Sequence, residues 1–142
     1  MTLIDRYFQK AIEQGHEPTK LEYKNATELL SRVDTLIKRY NKATKKNFIS
    51  VITSGYRTLS HNAKIGGAKA SYHSTGEAVD LLDNELQELA NWYALQDKAF
   101  FQEIGLSLEN PLKTKGKYTN WCHLDLGKRN RGGEMVYCVF MP

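Results

Sequence analysis

The chain has 142 residues, of which 41% are hydrophobic and 25% charged, the profile of one ordinary soluble domain with a core that needs no disulfide staples. No apolar run reaches the ~18 residues of a membrane span, and residues 1–10 carry charges where a signal peptide would be apolar, so synthesis in the cytoplasm without a signal peptide, and no membrane insertion, are expected. Disordered tails, collagen-like repeats and disulfide scaffolds are excluded. The formal net charge of +4 is concentrated: residues 113–131 hold Lys113, Lys115, Lys117, Lys128, Arg129 and Arg131 against Asp125 alone. Such a segment either steers the protein toward a polyanion or is a lysine-rich pair of solvated loops.

In chain order, Asn25 or Thr27 is placed to cap a helix running to about Lys46. Leu29, Leu30, Val33, Leu36, Ile37 and Tyr40 lie along it at helical spacing. Residues 48–52 read as a strand ended by Gly55. Residues 58–76 are rich in Gly, Ser, Asn and His without a clean period, and a loop of that length in a compact domain is usually functional. A second strand is expected at 78–82, and one amphipathic helix from Glu85 to about Ile104. Strands at about 118–126 and 135–140 close the chain around a basic turn at 127–133. A hairpin symmetric about Asn130 would set Cys122 opposite Cys138, where a strained cross-strand disulfide is geometrically open, although reduced thiols are the default in the cytosol. The expected fold is α+β, with helices packed on a small antiparallel sheet, as a single domain over 1–142. Within it, 1–47 is a helical part and 48–142 the motif-bearing core.

Three segments look chemical: Ser54-Gly55-Tyr56-Arg57, the run from Ser71 to Asp80, and Trp121-Cys122-His123-Leu124-Asp125. His73 and Asp80 flank a glycine-containing turn that can bring an imidazole and a carboxylate to one point, and His123 on a later strand can join them. Two histidines and one carboxylate are the ligand set of catalytic zinc, which keeps its fourth position open for water. With a net charge of +1, such a site lowers the pKa of its water to about 7. His16 and His61 have no partner at useful spacing.

Taken together, Ser-Gly-Tyr-Arg (54–57), Gly-Gly-Ala (66–68), Ser-x-His-x6-Asp (71–80) and Trp-x-His-x-Asp (121–125) resemble the zinc peptidases of the D-Ala-D-Ala carboxypeptidase and L-Ala-D-Glu peptidase (M15-like) family. That family includes phage endolysins, and its metal site recurs in the Hedgehog signalling domain. The resemblance runs from about Phe48 to the C-terminus. It implies one zinc ion held by His73, Asp80 and His123. It also implies that Arg57 polarises the scissile carbonyl and that Ser71 binds substrate. The implied substrate is the peptide stem of bacterial peptidoglycan, cut by a monomer acting on the cell wall, with L-Ala–D-Glu endopeptidase favoured over D-Ala-D-Ala carboxypeptidase. A metal-stabilised wall-binding domain without turnover is the third reading. Nucleic acid is not an expected partner, because no recognition motif accompanies the basic segment.

One position departs from the pattern. Several branches of the family carry an acidic residue or His as general base three residues before the last ligand, where this chain has Asn120. Asp125 shares a strand face with His123, and either acts as the base or orients the histidine. Glu77 and Glu103 remain as other bases. Tyr118 and Trp121 either line the cleft or pack over the sheet edge.

Overall fold

Two threonine capping boxes set the N-terminal architecture in the computed structural model, which describes residues 1–67 and 71–142. Thr2 accepts from the Asp5 amide while the Asp5 carboxylate accepts from the Thr2 amide, starting helix α1 (Leu3–Glu13). Thr19 and Glu22 repeat the arrangement at helix α2 (Lys20–Thr44). Asn25 and Thr27 therefore lie inside α2 rather than capping it, and α1 is an additional helix.

The chain continues through strand β1 (Ile52–Ser54), helix α3 (Leu59–Lys64), a 3-10 turn (Tyr72–Ser74) and strand β2 (Ala78–Asp83). Helices α4 (Glu88–Ala94) and α5 (Lys98–Ile104) follow, then strands β3 (Ser107–Glu109), β4 (Asn120–Asp125), β5 (Arg129–Arg131), β6 (Glu134–Val136) and β7 (Val139–Phe140). The strand expected at 48–52 is thus displaced to Ile52–Ser54. The helix expected from 85 to 104 is two helices, because the Asp97 carboxylate caps a fresh start by accepting from the Phe100 amide at 2.8 Å. Among the described residues no helix is long and apolar enough to cross a membrane.

The main sheet has the order β1-β2-β4-β3-β7. Its first three pairings are antiparallel, but β7 runs parallel to β3, so the sheet is mixed rather than purely antiparallel. Strand β4 pairs with β2 and β3, not with the end of the chain. The basic turn closes its own short hairpin, with Arg131 opposite Glu134 across Gly132 and Gly133, both at positive φ. This tight Gly-Gly turn sets the register, so the symmetry is not about Asn130. Cys122 then faces Leu81, and Cys122 and Cys138 are both free thiols.

One apolar cluster takes in Tyr7 and Phe8 of α1, Leu29, Val33 and Leu36 of α2, Leu89 of α4, and Val79, Leu81, Cys122 and Leu124 of the sheet. Helices and sheet therefore share a core. Because alternate residues on a strand face opposite ways, burying Cys122 and Leu124 against the helices turns Trp121, His123 and Asp125 to the other face. Burying Val79 and Leu81 does the same for Asp80.

Candidate metal centre

Asp80 on β2 and His123 on β4 are direct cross-strand partners, and such pairs bring side chains together on one face. His123 Nδ1 lies 2.8 Å from Asp80 Oδ1. His73 comes from the 3-10 turn, which Ser71 starts by accepting the His73 amide with its hydroxyl at 3.2 Å. His73 Nε2 stands 3.4 Å from the same Asp80 oxygen. One ligand atom from each of the three residues falls within 4.8 Å of the others.

The outer nitrogens of both rings are held. His73 Nδ1 is 2.8 Å from the Gly55 carbonyl oxygen. A carbonyl only accepts, so Nδ1 carries a proton, and Nε2 is the ring atom aimed at Asp80. A cation placed there would be shared by that nitrogen and the Asp80 carboxylate. The donor set of two nitrogens and one oxygen fits zinc and tolerates other first-row divalent ions. Gly55 has its own reason to be glycine: a Cβ there would run into the Tyr7 carbonyl, which also accepts the Tyr56 amide at 3.0 Å. Helix α1 thus supports the loop that orients His73.

His123 sits between two carboxylates, with Nε2 2.8 Å from Asp125 Oδ2. Burial pushes its pKa down, but hydrogen bonds to Asp125 and Asp80 outweigh burial and raise it to about 9. A proton and a metal ion therefore compete for Nδ1. Burial opposes ionisation of Asp80 too, yet its bonds to His123 and His73 hold its carboxyl well below the usual range.

Asp125 is fully buried. Its Oδ1 accepts from the Gly127 amide at 2.9 Å and from Arg129 Nη1, and its Oδ2 accepts from His123 and from Arg129 Nη2 at 3.1 Å. Those bonds hold its carboxyl below the usual range against the opposing effect of burial. Both oxygens are occupied.

These groups line a cleft of about 510 Å³ together with Arg57, Ser71 and Trp121. Arg57 donates from Nε to Ser54 Oγ at 3.0 Å, from Nη1 to Asn62 Oδ1 at 3.3 Å and from Nη2 to Asp80 Oδ2 at 3.3 Å. Gly67 of the Gly-Gly-Ala piece is at the cleft, whereas Ala68 lies outside the described residues.

Other expected residues lie elsewhere. Asn120 is on the opposite strand face from His123, and its amide donates to the Asn84 and Glu85 carbonyls at 3.2 and 3.3 Å. Glu103 pairs with Arg39 on α2 at 2.8 Å, and Glu77 is not among the cleft residues. Tyr118 is 87% exposed and borders a separate hollow with Asn120. His16 bonds Glu22 at 2.9 Å and stacks on Tyr56, a structural contact.

Among the cleft residues that the sequence analysis did not assign to the site are Glu109, Arg129 and Phe140. Arg129 appeared there only as part of a basic segment, yet its guanidinium is spent on Asp125 and stacks 3.5 Å from the centre of the Phe140 ring. Its spacing of four residues from Asp125 was a weak signal. Glu109 is half-buried, and burial raises its carboxyl above the ordinary value. No local pattern announced it.

A sequence model for a family described as Peptidase M15 matches residues 7–125. No curated protein matches the chain. The match begins in α1, well before Phe48 where the motif resemblance begins, and it stops at Asp125, ahead of the β5–β6 hairpin.

Proposed function

The chain belongs to the M15 peptidases, which are zinc metallopeptidases, and from that premise we propose that it hydrolyses the peptide stem of bacterial peptidoglycan through one metal held by His73, Asp80 and His123. The observation that carries this reading is the convergence of those three side chains, with each histidine's outer nitrogen already tied back, on Gly55 and on Asp125. Outer partners of this kind are what metal-ligating histidines need to hold tautomer and orientation. When bound, zinc supplies Lewis acidity toward the scissile carbonyl and a more acidic water.

The chain's own residues do the rest. Asp125 is a positioning residue: with both oxygens occupied, it fixes the His123 ring and anchors Arg129. Arg57 stands beside Asp80 with its guanidinium at the cleft, where it steadies the negative charge that develops on the carbonyl oxygen. Ser71 shapes the turn that carries His73 and offers its hydroxyl at the rim to the stem. A cleft bordered by Arg57 and Arg131 suits a stem rich in carboxylates, and the L-Ala–D-Glu bond, next to a free carboxylate, is the favoured site.

Digestion of purified peptidoglycan, with products identified by mass spectrometry, tests this. New N-terminal D-Glu ends that vanish with chelator and in His73→Ala support the endopeptidase. Released D-Ala moves the assignment to carboxypeptidase. One tightly bound zinc with no bond cut in several wall types leaves a metal-stabilised binding domain.

A further inference from the structure

We propose that Glu109 is the base of this site, a role that rests on the peptidase reading above. Its carboxylate takes a proton from the attacking water as the water oxygen bonds to the carbonyl carbon. The same proton passes to the leaving nitrogen as the C–N bond breaks and the nitrogen keeps the electron pair. Peptide and water become a carboxylic acid and an amine, and Glu109 returns to its starting form.

The placement of Glu109 follows from strand register. Ser107 lies opposite Asp125 and Leu108 opposite Leu124, so the next step of the same register sets Glu109 against His123. Directly opposed residues point to the same face, which is the cleft face. On its other side Glu109 pairs with Phe140 of β7, whose ring meets the His123 ring edge-on at 5.8 Å. Glu109 is thus held beside the metal centre by strands on both flanks.

The competing carboxylates are committed. Among the described residues, the acidic side chains lining the cleft are Asp80, Glu109 and Asp125. Asp80 is engaged by both histidines and Arg57, and Asp125 by His123, Gly127 and Arg129. Among the described residues no hydrogen bond or ion pair holds the Glu109 carboxylate, although it is half-buried and within electrostatic reach of His123, Asp80, Asp125 and His73. A base needs that freedom, because it must reach a water and then a nitrogen. Asn120 is turned to the other strand face and Glu103 is tied to Arg39, so neither supplies the function.

The test compares wild type, Glu109→Gln and Glu109→Ala as zinc-loaded proteins on a soluble stem peptide. Glu109→Gln keeps the shape and removes the base. It is expected to retain one zinc per chain, the wild-type thermal midpoint and the wild-type KM, while kcat falls about 10²–10⁴-fold. In Glu109→Ala, added formate is expected to restore turnover in proportion to its concentration, with no such effect in wild type. The role is overturned if Glu109→Gln keeps kcat within about three-fold of wild type, if its defect lies in KM or zinc content, or if formate rescues nothing. Wild type that binds zinc but cuts no stem peptide brings down the peptidase reading, and the role of Glu109 with it. Wild-type cleavage with an unimpaired Glu109→Gln removes this role alone.

Discussion

Replacing Asp125 with Asn separates positioning from chemistry at this site. The amide keeps the side-chain shape but offers one acceptor oxygen where the carboxylate offers two, and its NH2 must face donors: the Gly127 amide, Arg129 or the His123 ring. Arg129, with its side chain 22% exposed, also loses its counter-charge. Breaking a buried ion pair by removing one partner costs about 3–5 kcal/mol. Partial solvent access and the remaining stack on Phe140 bring this to about 2–3 kcal/mol. For a chain of this length each kcal/mol shifts the melting midpoint by about 3 °C, so the chelated variant should melt roughly 6–9 °C lower. Zinc affinity should fall about 10–100-fold, because His123 loses the partner that fixes its ring. Differential scanning calorimetry and competition against a chelator measure the two effects. Unchanged zinc affinity would refute the positioning argument. A collapse of kcat at full zinc occupancy and unchanged affinity would show that Asp125 acts on the substrate directly.

Further expectations follow from the same geometry. His123 titrates near pH 9 in the fold against about 6.5 when unfolded, so in chelated protein its stabilisation is complete below about pH 6.5 and is lost as pH rises through about 9. Zinc must displace that proton. Calorimetric titration at pH 7 in buffers of differing ionisation enthalpy should show about one proton released from His123 per zinc, with apparent affinity rising with pH up to about 9. Absence of proton release would contradict it. Gly55→Ala would push the Tyr7 carbonyl, and helix α1 with it, away from the His73 anchor. It should cost about 1–3 kcal/mol and weaken zinc binding, both readable in melts with and without metal. A thiol reagent should label half-buried Cys138 before buried Cys122, and reduction should leave the native mass unchanged, since neither thiol is in a disulfide.

What the sequence disclosed and what it hid divide along physical lines. The apolar face of α2 was legible because Leu29, Val33 and Leu36 repeat at the helical period, while its start, a Thr-x-x-Glu box at Thr19 and Glu22, lies well ahead of that run. The break at residues 95–97 was overlooked although Gln96 and Asp97 interrupt the apolar spacing between Tyr93 and Phe100 and Asp97 is a capping residue type. Three-residue strands such as β1 and β3 are too short to show an alternation, and β7, parallel to β3, forms only after the intervening chain returns. At the site, His73, Asp80 and His123 stood out because ligand chemistry restricts residue type and spacing. Glu109 and Phe140 did not, because only pairing of β3 with β4 and β7 brings them to His123. The helices carry no chemical motif, yet the Tyr7 carbonyl of α1 accepts from Tyr56 in the loop that aims His73.

The most direct measurement follows zinc occupancy and stem-peptide cleavage on the same samples. Zinc is added stepwise to chelated, desalted protein, and metal content and initial rate are read at each step. The account predicts a rate that rises in proportion to occupancy and levels off at one zinc per chain, with His73→Ala and His123→Ala showing neither tight binding nor turnover. Cleavage that persists without zinc, or that ignores the loss of either histidine, would contradict it.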